Sequence, residues 1–366
     1  MYNFLSDIRG DGDNSFIPDV AFHPDGSMFA VSYRKNQIRV FDSSTCKLLR
    51  TYQNQEAQLD WPHGLLLTNK HIIVSNKLTP PVKPSILNVY RIDDPSDKPV
   101  TTFVTPIEHL REAHSLALHG QRLLITYCGK GDSHAIVSYH FDDETGVISG
   151  PIDILESWFI GYGEPKGICF NEEGTKVIVS FVTDKTTISE VTEKSDVVDM
   201  FKKVKTLLRE KNGAQKLVSK VFSKFSLLLS AHKEKAAKIT NGLVIFNVDQ
   251  NGMLSKDPDQ ILLAPDYCRP ENISIVGNLC AVADPLNGRV ELYDFDGDHF
   301  PDKPIQVIHD NLSFPHDACL SPDKKMLVIT NYGLEIIDEE VQWGKFLQPR
   351  RDHIAIYELQ ESANFA

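Results

Sequence analysis

Three of the 13 histidines in this 366-residue chain occupy one position of a repeated pattern, each just ahead of a short apolar segment. They are His63, His114 and His316, and Lys166 and Glu271 hold the same position in two further copies. Imidazole nitrogens bind transition metals, and a histidine near its ordinary pKa of about 6.5 also exchanges protons. We therefore predict a catalytic site built from His63, His114, Glu271 and His316.

Two neighbouring repeat positions carry further polar groups. The position after the histidines holds Asp19, Gly64, Ser115, Gly167, Asn272 and Asp317. The end of the second apolar segment in each copy holds Tyr33, Asn76, Tyr127, Phe181, Asp284 and Asn331. From these positions we predict a polar pocket that binds a small-molecule substrate through Lys166, Tyr127, Asn76, Asp317 and Tyr33, with Lys166 facing an anionic group.

Two kinds of divalent ion fit these residues, and the sequence leaves the choice open. A site of three imidazoles, from His63, His114 and His316, would take zinc or iron. An oxygen-rich site would take calcium or magnesium, and its ligands would be Glu271, Asn272, Asp284 and Asn331.

A third alternative needs no metal. His114 or Glu271 would act as general base or acid, with Tyr127 or His316 as its partner. The sequence has no Gly-x-Ser-x-Gly, phosphate-binding loop or dinucleotide fingerprint, so we expect no nucleotide cofactor.

The elements that must position these residues are repeated strands. Residues 22–32 match residues 170–180 and 320–330, and each stretch is an apolar segment, a polar turn and a second apolar segment. Weaker copies fill the gaps, and a third segment with an aromatic residue near its end usually follows. Six copies result, most of them about 45 to 53 residues apart, which is the spacing of four-stranded propeller blades.

The copies predict an all-β fold, a single six-bladed β-propeller domain over residues 1–366. A seventh blade would require one more, degenerate copy. The sixth copy ends after its third strand, near Leu359, and we predict that residues 2–5 supply its outer strand. That pairing would close the ring and remove a sheet edge.

The first copy is similar to known propeller families. Residues 38–42, Ile-Arg-Val-Phe-Asp, and residues 47–51, Lys-Leu-Leu-Arg-Thr, resemble WD-repeat and YVTN-type propeller sequences. Six copies and a polar channel mouth are also similar to the senescence-marker protein/gluconolactonase and strictosidine-synthase-like propellers. The lactonase-like resemblance implies a divalent ion held by a carboxylate and amides, and hence a hydrolase.

One long insertion separates the second and third strands of the fourth copy. Over residues 184–240 the apolar spacing becomes helical, with Asn212-Gly213 between two amphipathic stretches, which predicts a helical hairpin. The segment holds 13 Lys and Arg against 7 Asp and Glu, a net charge of +6, whereas the whole chain carries −12. The hairpin is placed to act as a lid, to contact a membrane surface or a protein, or to join two copies in an oligomer.

Composition limits the other classes of function. The net charge of −12 disfavours nucleic-acid binding by the whole molecule. The six cysteines include no Cys-x-x-Cys pair, and several lie in apolar runs, so we expect free thiols and a cytoplasmic location. We also expect no membrane span and no secretory signal.

Two functional hypotheses follow. In the first, the chain is an enzyme acting on a small organic molecule at the channel mouth, by lactone hydrolysis or by a lyase or cyclisation step, with a metal ion assisting. In the second, it is a non-catalytic scaffold that binds a protein through one rim or through the basic hairpin.

Overall fold

A computed structural model describes residues 1–9, 16–77, 84–128, 134–156, 163–182, 241–249, 251–263, 270–332 and 352–360. Within these ranges the chain forms six antiparallel sheets of four strands each. The first strands of consecutive sheets contact one another around a closed ring. The fold is therefore the all-β, six-bladed propeller that the repeats predict.

Blades 1 to 3 follow the chain from the central channel outward. Blade 1 contains β2 (Val20–Phe22), β3 (Met28–Tyr33), β4 (Gln37–Asp42) and β5 (Leu48–Tyr52). Blade 2 contains β6 (Pro62–Leu67), β7 (His71–Asn76), β8 (Ile86–Arg91) and β9 (Thr101–Val104). Blade 3 contains β10 (Ala113–His119), β11 (Arg122–Cys128), β12 (His134–Asp142) and β13 (Val147–Leu155).

Blades 4 and 5 repeat the same order. Blade 4 contains β14 (Glu164–Phe170), β15 (Lys176–Val182), β16 (Gly242–Asn247) and β17 (Gln260–Leu263). Blade 5 contains β18 (Ile273–Val276), β19 (Leu279–Asp284), β20 (Arg289–Asp294) and β21 (Gln306–Ile308). A single-turn 3-10 helix, Pro285–Asn287, joins β19 to β20.

Blade 6 is shared between the two ends of the chain. Its inner strands are β22 (Pro315–Leu320), β23 (Met326–Asn331) and β24 (His353–Leu359), and its outer strand is β1 (Tyr2–Arg9). The pairing runs antiparallel from Tyr2 opposite Leu359 to Arg9 opposite His353. The predicted closure by the N-terminal segment is confirmed, and β1 extends over eight residues.

The core lies between neighbouring blades because strand residues alternate between the two faces of each sheet. One cluster joins blades 2 and 3 and includes Ile73, Val89, Ile125, Tyr127 and Tyr139, all fully buried. Equivalent clusters join the other blades. This packing fixes the angle between blades and so the positions of the side chains that face the channel.

The predicted helical hairpin over residues 184–240 lies outside the described residues, as does its proposed role as a lid. The described residues contain no helix whose length and hydropathy would carry the chain across a lipid bilayer.

Candidate functional site

The candidate site is formed where the inner strands begin, at one rim of the channel. In four blades the pairing of the inner strand with the next one slips at this point, so that an extra residue is inserted. The slips fall at His63, His114, Lys166 and His316. Such β-bulges bend a strand and redirect its side chains, and here they direct four side chains into one layer across the channel.

A repeated hydroxyl group supports each bulge. Ser32 donates to the carbonyl oxygen of His63 at 2.8 Å, and Thr126 donates to that of Lys166 at 2.7 Å. Hydroxyl groups also accept the bulge amides, as in the 2.9 Å bond from Gly64 N to Ser75 Oγ. Five blades carry such a residue at this position, and they are Ser32, Ser75, Thr126, Ser180 and Thr330. Each hydroxyl satisfies backbone groups that the bulge removes from the β-ladder.

His63, His114 and His316 form a compact cluster. One ring nitrogen of each lies within 4.8 Å of a ring nitrogen of the other two. The ring centres of His63 and His114 are 4.2 Å apart, and those of His63 and His316 are 5.2 Å apart. All three residues are buried, with at most 5% of the surface of each residue exposed. The structure thus brings together the three histidines that share one repeat position.

Backbone hydrogen bonds fix which nitrogen of two histidines carries the proton. His63 Nδ1 lies 3.2 Å from the carbonyl oxygen of His114, and His316 Nδ1 lies 2.7 Å from that of Pro18. Because a carbonyl oxygen only accepts, both Nδ1 atoms carry hydrogen and both Nε2 atoms keep a lone pair. Metal-binding histidines are commonly oriented by a hydrogen bond of this kind on the second nitrogen.

Glu271 supplies a carboxylate beside the cluster. Its Oε2 lies 3.4 Å from His114 Nε2 and 3.9 Å from His316 Nε2. The Glu271 side chain is itself buried. When His114 Nε2–H donates to this carboxylate, its Nδ1 keeps the lone pair. That Nδ1 and His63 Nε2 are both buried and have no hydrogen-bond partner among the described residues.

Burial keeps the imidazoles neutral. It lowers the pKa of His316 to about 3, although nearby Glu271 acts in the opposite direction. Burial lowers the pKa of His63 and of His114 well below the ordinary value, and the charge of Lys77 adds to both shifts. Neutral imidazoles are the form that binds metal ions.

Bulky residues in a left-handed backbone conformation form the wall above the histidines. These residues lie two places before the repeat position that holds the histidines, and their φ values are between 44° and 59°. They are Phe16, Trp61, Glu112 and Phe314. A backbone hydrogen bond closes each of these turns. Its donor is the N–H of the residue two places after the repeated hydroxyl, as in the 3.1 Å bond from Arg34 N to the Phe16 carbonyl oxygen. A left-handed conformation is uncommon for bulky residues and concentrates at functional sites.

Arg34 and Tyr332 extend this wall toward His316. The guanidinium carbon of Arg34 lies 5.1 Å from the ring centre of Phe16, 4.7 Å from that of Trp61 and 4.9 Å from that of Tyr332. The Tyr332 ring stacks on His316, with centres 4.3 Å apart and an interplanar angle of 17°. We call Arg34, Trp61, Lys77 and Tyr332 the mouth residues.

A second polar layer lies directly beneath the histidines. Asp19 and Asp317 both accept from Val20 N at 2.8 Å, and Asp19 also accepts from Leu65 N at 2.9 Å. Burial raises the pKa of Asp317, and burial together with Asp317 raises the pKa of Asp19 well above its ordinary value. Burial thus favours the protonated form of these carboxyl groups, which tie neighbouring blades together through the backbone N–H groups of Val20 and Leu65.

A cavity of about 480 Å³ continues from this layer along the channel. Its walls are the inner strands, and its far end is formed by turn residues that include Pro24, Glu172 and Pro322. The cavity therefore leads to the rim opposite the histidines, a rim at which the sequence suggested no site.

The structure places Tyr33, Asn76 and Tyr127 away from the histidine cluster. Tyr127 hydrogen-bonds Thr105 at 2.5 Å and Tyr139 at 3.1 Å, inside the core between blades 2 and 3. Tyr33 packs in the core between blades 1 and 6, with Arg39 over its ring. The Asn76 amide accepts from Asp60 N at 3.0 Å and so holds a loop.

The predicted oxygen ligands are likewise held by separate partners. Asp284 accepts from the Asn287 amide at 2.6 Å and pairs with Arg289. Asn331 accepts from Ser313 N at 2.9 Å. Asn272 donates to Asp19 at 3.3 Å, in the lower polar layer, while Glu271 lies with the histidines.

Lys166 lies at the predicted position but is paired. Its ammonium group is 2.7 Å from Glu164 Oε2, and its side chain is buried. Its charge acts on His114, so the two residues belong to one electrostatic environment.

The mouth residues are the functional candidates that the sequence comparison missed. Three of them come directly after a residue that the repeats predicted at the site. Arg34 follows Tyr33, Lys77 follows Asn76, and Tyr332 follows Asn331. Neighbouring strand residues point to opposite faces. An alignment error of one residue therefore selects a side chain that lies inside the blade instead of one that faces the channel. The sequence does carry a signal for these positions, because a repeated Ser or Thr stands two residues before Arg34, Lys77 and Tyr332.

Comparison with known proteins supports the architecture. The family described as the anaphase-promoting complex subunit 4 WD40 domain matches residues 4–70, which span most of β1, all of blade 1 and strand β6. No curated protein matches the chain at a significant level. A solved structure of Kuenenia stuttgartiensis hydrazine synthase is similar with a TM-score of 0.51 and 14% identity, over 89% of this chain and 94% of that chain.

These likenesses concern the fold. The family match and the six blades show a WD-repeat-like propeller. An identity of 14% to the hydrazine synthase chain carries no information on activity. The resemblance to lactonase-like propellers stays a prediction.

Proposed function

We propose that the chain is an enzyme that acts on a small organic molecule at the histidine cluster, with a divalent transition metal bound by His63, His114 and His316. One observation carries the proposal. Three buried imidazoles converge, and the lone-pair nitrogens of His63 and His114 have no hydrogen-bond partner among the described residues. Buried polar atoms are nearly always paired, so two such atoms in one cluster favour a missing ligand.

The donor set favours zinc or iron over calcium or magnesium. Neutral imidazoles are preferred by transition metals, whereas calcium and magnesium prefer oxygen atoms. The predicted oxygen ligands Asp284 and Asn331 are engaged elsewhere. Among the described residues, Glu271 adds an oxygen donor next to His114 and His316.

The arrangement suits hydrolysis of a lactone or ester, or a lyase or cyclisation step. A bound metal would polarise a substrate carbonyl or activate a water molecule. Glu271 is placed to accept a proton, because its carboxylate lies within 4 Å of two cluster nitrogens. His114 belongs to the proposed metal site and also contacts Glu271, so a substrate at the metal would lie near the group that accepts the proton.

A panel of lactones and simple esters tests the activity. We expect hydrolysis by the protein loaded with zinc or iron(II), and a loss of at least 100-fold in His114→Ala and in Glu271→Gln. His309→Ala is the matched control, because His309 is an exposed histidine outside the cluster. Activity that survives both cluster substitutions would contradict the assignment.

The scaffold alternative is favoured by a different observation. The matching family is a domain of a subunit of the anaphase-promoting complex, a multiprotein assembly. A scaffold would bind a protein through one rim or through the basic segment 184–240. In that case deletion of residues 194–235 would abolish capture of a partner, whereas His114→Ala would leave it unchanged.

A further inference from the structure

Two of the mouth residues, Arg34 and Trp61, each carry a buried N–H donor that finds no acceptor among the described residues. Arg34 Nη2 donates to the Tyr332 hydroxyl at 3.1 Å, but Arg34 Nε is buried and has no partner among the described residues. The indole nitrogen of Trp61, whose ring lies against the guanidinium group, is also buried and unpartnered in that part of the chain. Both groups only donate, so what they lack is an acceptor.

Lys77 adds a positive charge at the same place. Its backbone N–H donates to the Trp61 carbonyl oxygen at 3.1 Å, so it follows the same turn as Trp61. Among the described residues, no carboxylate forms an ion pair with Lys77 or Arg34. Both cations act on the histidine cluster, because the charges of Lys77 and Arg34 each lower the pKa of His63. Burial lowers the pKa of Lys77, so holding its charge there is costly, and an anionic ligand would reduce that cost.

We propose that Arg34, Trp61 and Lys77 form a subsite for a carboxylate group, so that the substrate is a small organic acid or an acidic ester or lactone. This inference rests on the proposed function and names its substrate class. A planar carboxylate matches the flat edge of a guanidinium group, and the three rings around Arg34 hold that edge in one orientation.

The subsite lies next to the proposed reaction centre. Tyr332 contacts Arg34 through its hydroxyl and His316 through its ring, so one side chain separates the carboxylate subsite from the cluster. A substrate anchored by its carboxylate would then present its other functional group to the histidines. Such anchoring converts binding energy into orientation of the reacting atoms.

Calorimetric titration with malonate tests the subsite. The full chain is first freed of metal with the uncharged chelator 1,10-phenanthroline and dialysed, so that binding does not depend on a metal. We expect one malonate per chain, a 10-fold to 100-fold weaker affinity in Arg34→Gln, and no binding of the neutral analogue malonamide. Lys47→Gln, which removes an exposed charge, should bind malonate like the original protein.

Trp61→Phe provides a second variant in case Arg34→Gln does not fold. It keeps an aromatic ring against Arg34 but removes the five-membered ring of the indole with its N–H, and we expect about 5-fold to 10-fold weaker malonate binding. Equal binding of malonate and malonamide, or unchanged affinity in both variants, would overturn the subsite. Phosphate binding as tight as malonate binding would overturn the carboxylate assignment.

The two proposals fail in different ways. If the protein binds malonate through Arg34 but never binds a transition metal, the proposed metal-assisted reaction is wrong and the anion subsite stands. If it binds zinc through the histidines but does not bind malonate, the subsite is wrong and the metal site stands.

Discussion

Replacing Gly64 by alanine tests how closely blades 2 and 3 approach at the histidine layer. Gly64 follows His63 in the bulge of β6. A methyl group at its Cβ position would lie 2.2 Å from the carbonyl oxygen of His114 and 3.1 Å from Ser75 Oγ. The obstacle is the neighbouring backbone, which cannot rotate away as a side chain would.

The expected cost follows from these distances. Carbon and oxygen atoms need more than 3 Å between them, so the His114 carbonyl would have to move by roughly 1 Å. That shift would break the 3.2 Å hydrogen bond from His63 Nδ1. Overpacking costs about 1–3 kcal/mol and a lost buried hydrogen bond about 1 kcal/mol, so Gly64→Ala should lower the free energy of unfolding by about 2–4 kcal/mol.

Urea unfolding measures this loss, and zinc titration of the same variant gives a second readout. We expect weaker zinc binding, because the His63 and His114 rings are held by the contact that the methyl group disrupts. Gly120→Ala is the control, since Gly120 has a φ of +58° but no atom within 4 Å of the added methyl group. It should cost roughly 1 kcal/mol from backbone strain and leave zinc affinity unchanged. A Gly64→Ala protein with original stability and zinc affinity would refute the close approach of the blades.

Three further predictions concern the surrounding structure. Because the pKa of Asp19 and that of Asp317 are raised on folding, their contribution to stability is full below about pH 4 and is lost as the pH rises through the folded values. Urea midpoints from pH 4 to 8 should therefore fall less in Asp317→Asn than in the original protein, and parallel curves would contradict the raised pKa values. Tyr2→Ala should lower the free energy of unfolding by about 3 kcal/mol, because Tyr2 is buried in blade 6. Leu5→Ala on the same strand should cost under about 1 kcal/mol, because Leu5 is exposed. Equal melting temperatures of the two variants would argue against closure by β1. Tyr127→Phe should cost about 1 kcal/mol in urea unfolding and leave zinc affinity unchanged, and a loss of zinc binding would restore Tyr127 to the site.

The fold was predictable because each blade repeats one local pattern. Alternating apolar residues and polar turns, such as residues 22–32, specify paired strands without help from distant parts of the chain. Closure by β1 was predictable for the same reason, since the sixth copy lacked an outer strand. The repeated position of His63, His114 and His316 indicated their proximity, because equivalent strand starts meet around one channel.

The finer placement depended on details that strand periodicity does not carry. The bulges at His63 and His114 insert a residue and change which side chains face the channel. Tyr127 lies on β11, whose pairing with β12 is regular, and its side chain enters the core between blades 2 and 3, although its repeat position suggested the channel. Arg34 comes directly after the strand end at Tyr33, and the alternation of strand residues does not by itself show which of the two faces the channel.

The sequence also did not predict how deeply the histidines are buried. A channel mouth suggested partly exposed histidines, but His63 and His114 are 2% and 3% exposed. Their burial depends on the diameter of the closed ring and on the residues above them, which come from different blades. The lowered pKa of each histidine follows from this burial.

Elemental analysis of the full chain, purified without chelator or affinity tag, shows whether the histidine cluster binds a transition metal. The comparison is a His63→Ala/His114→Ala/His316→Ala variant whose folding is checked by circular dichroism. We expect about one equivalent of zinc or iron in the original protein, and none in the variant. A folded original protein without transition metal, which also binds none when titrated with zinc or iron(II), would contradict this expectation.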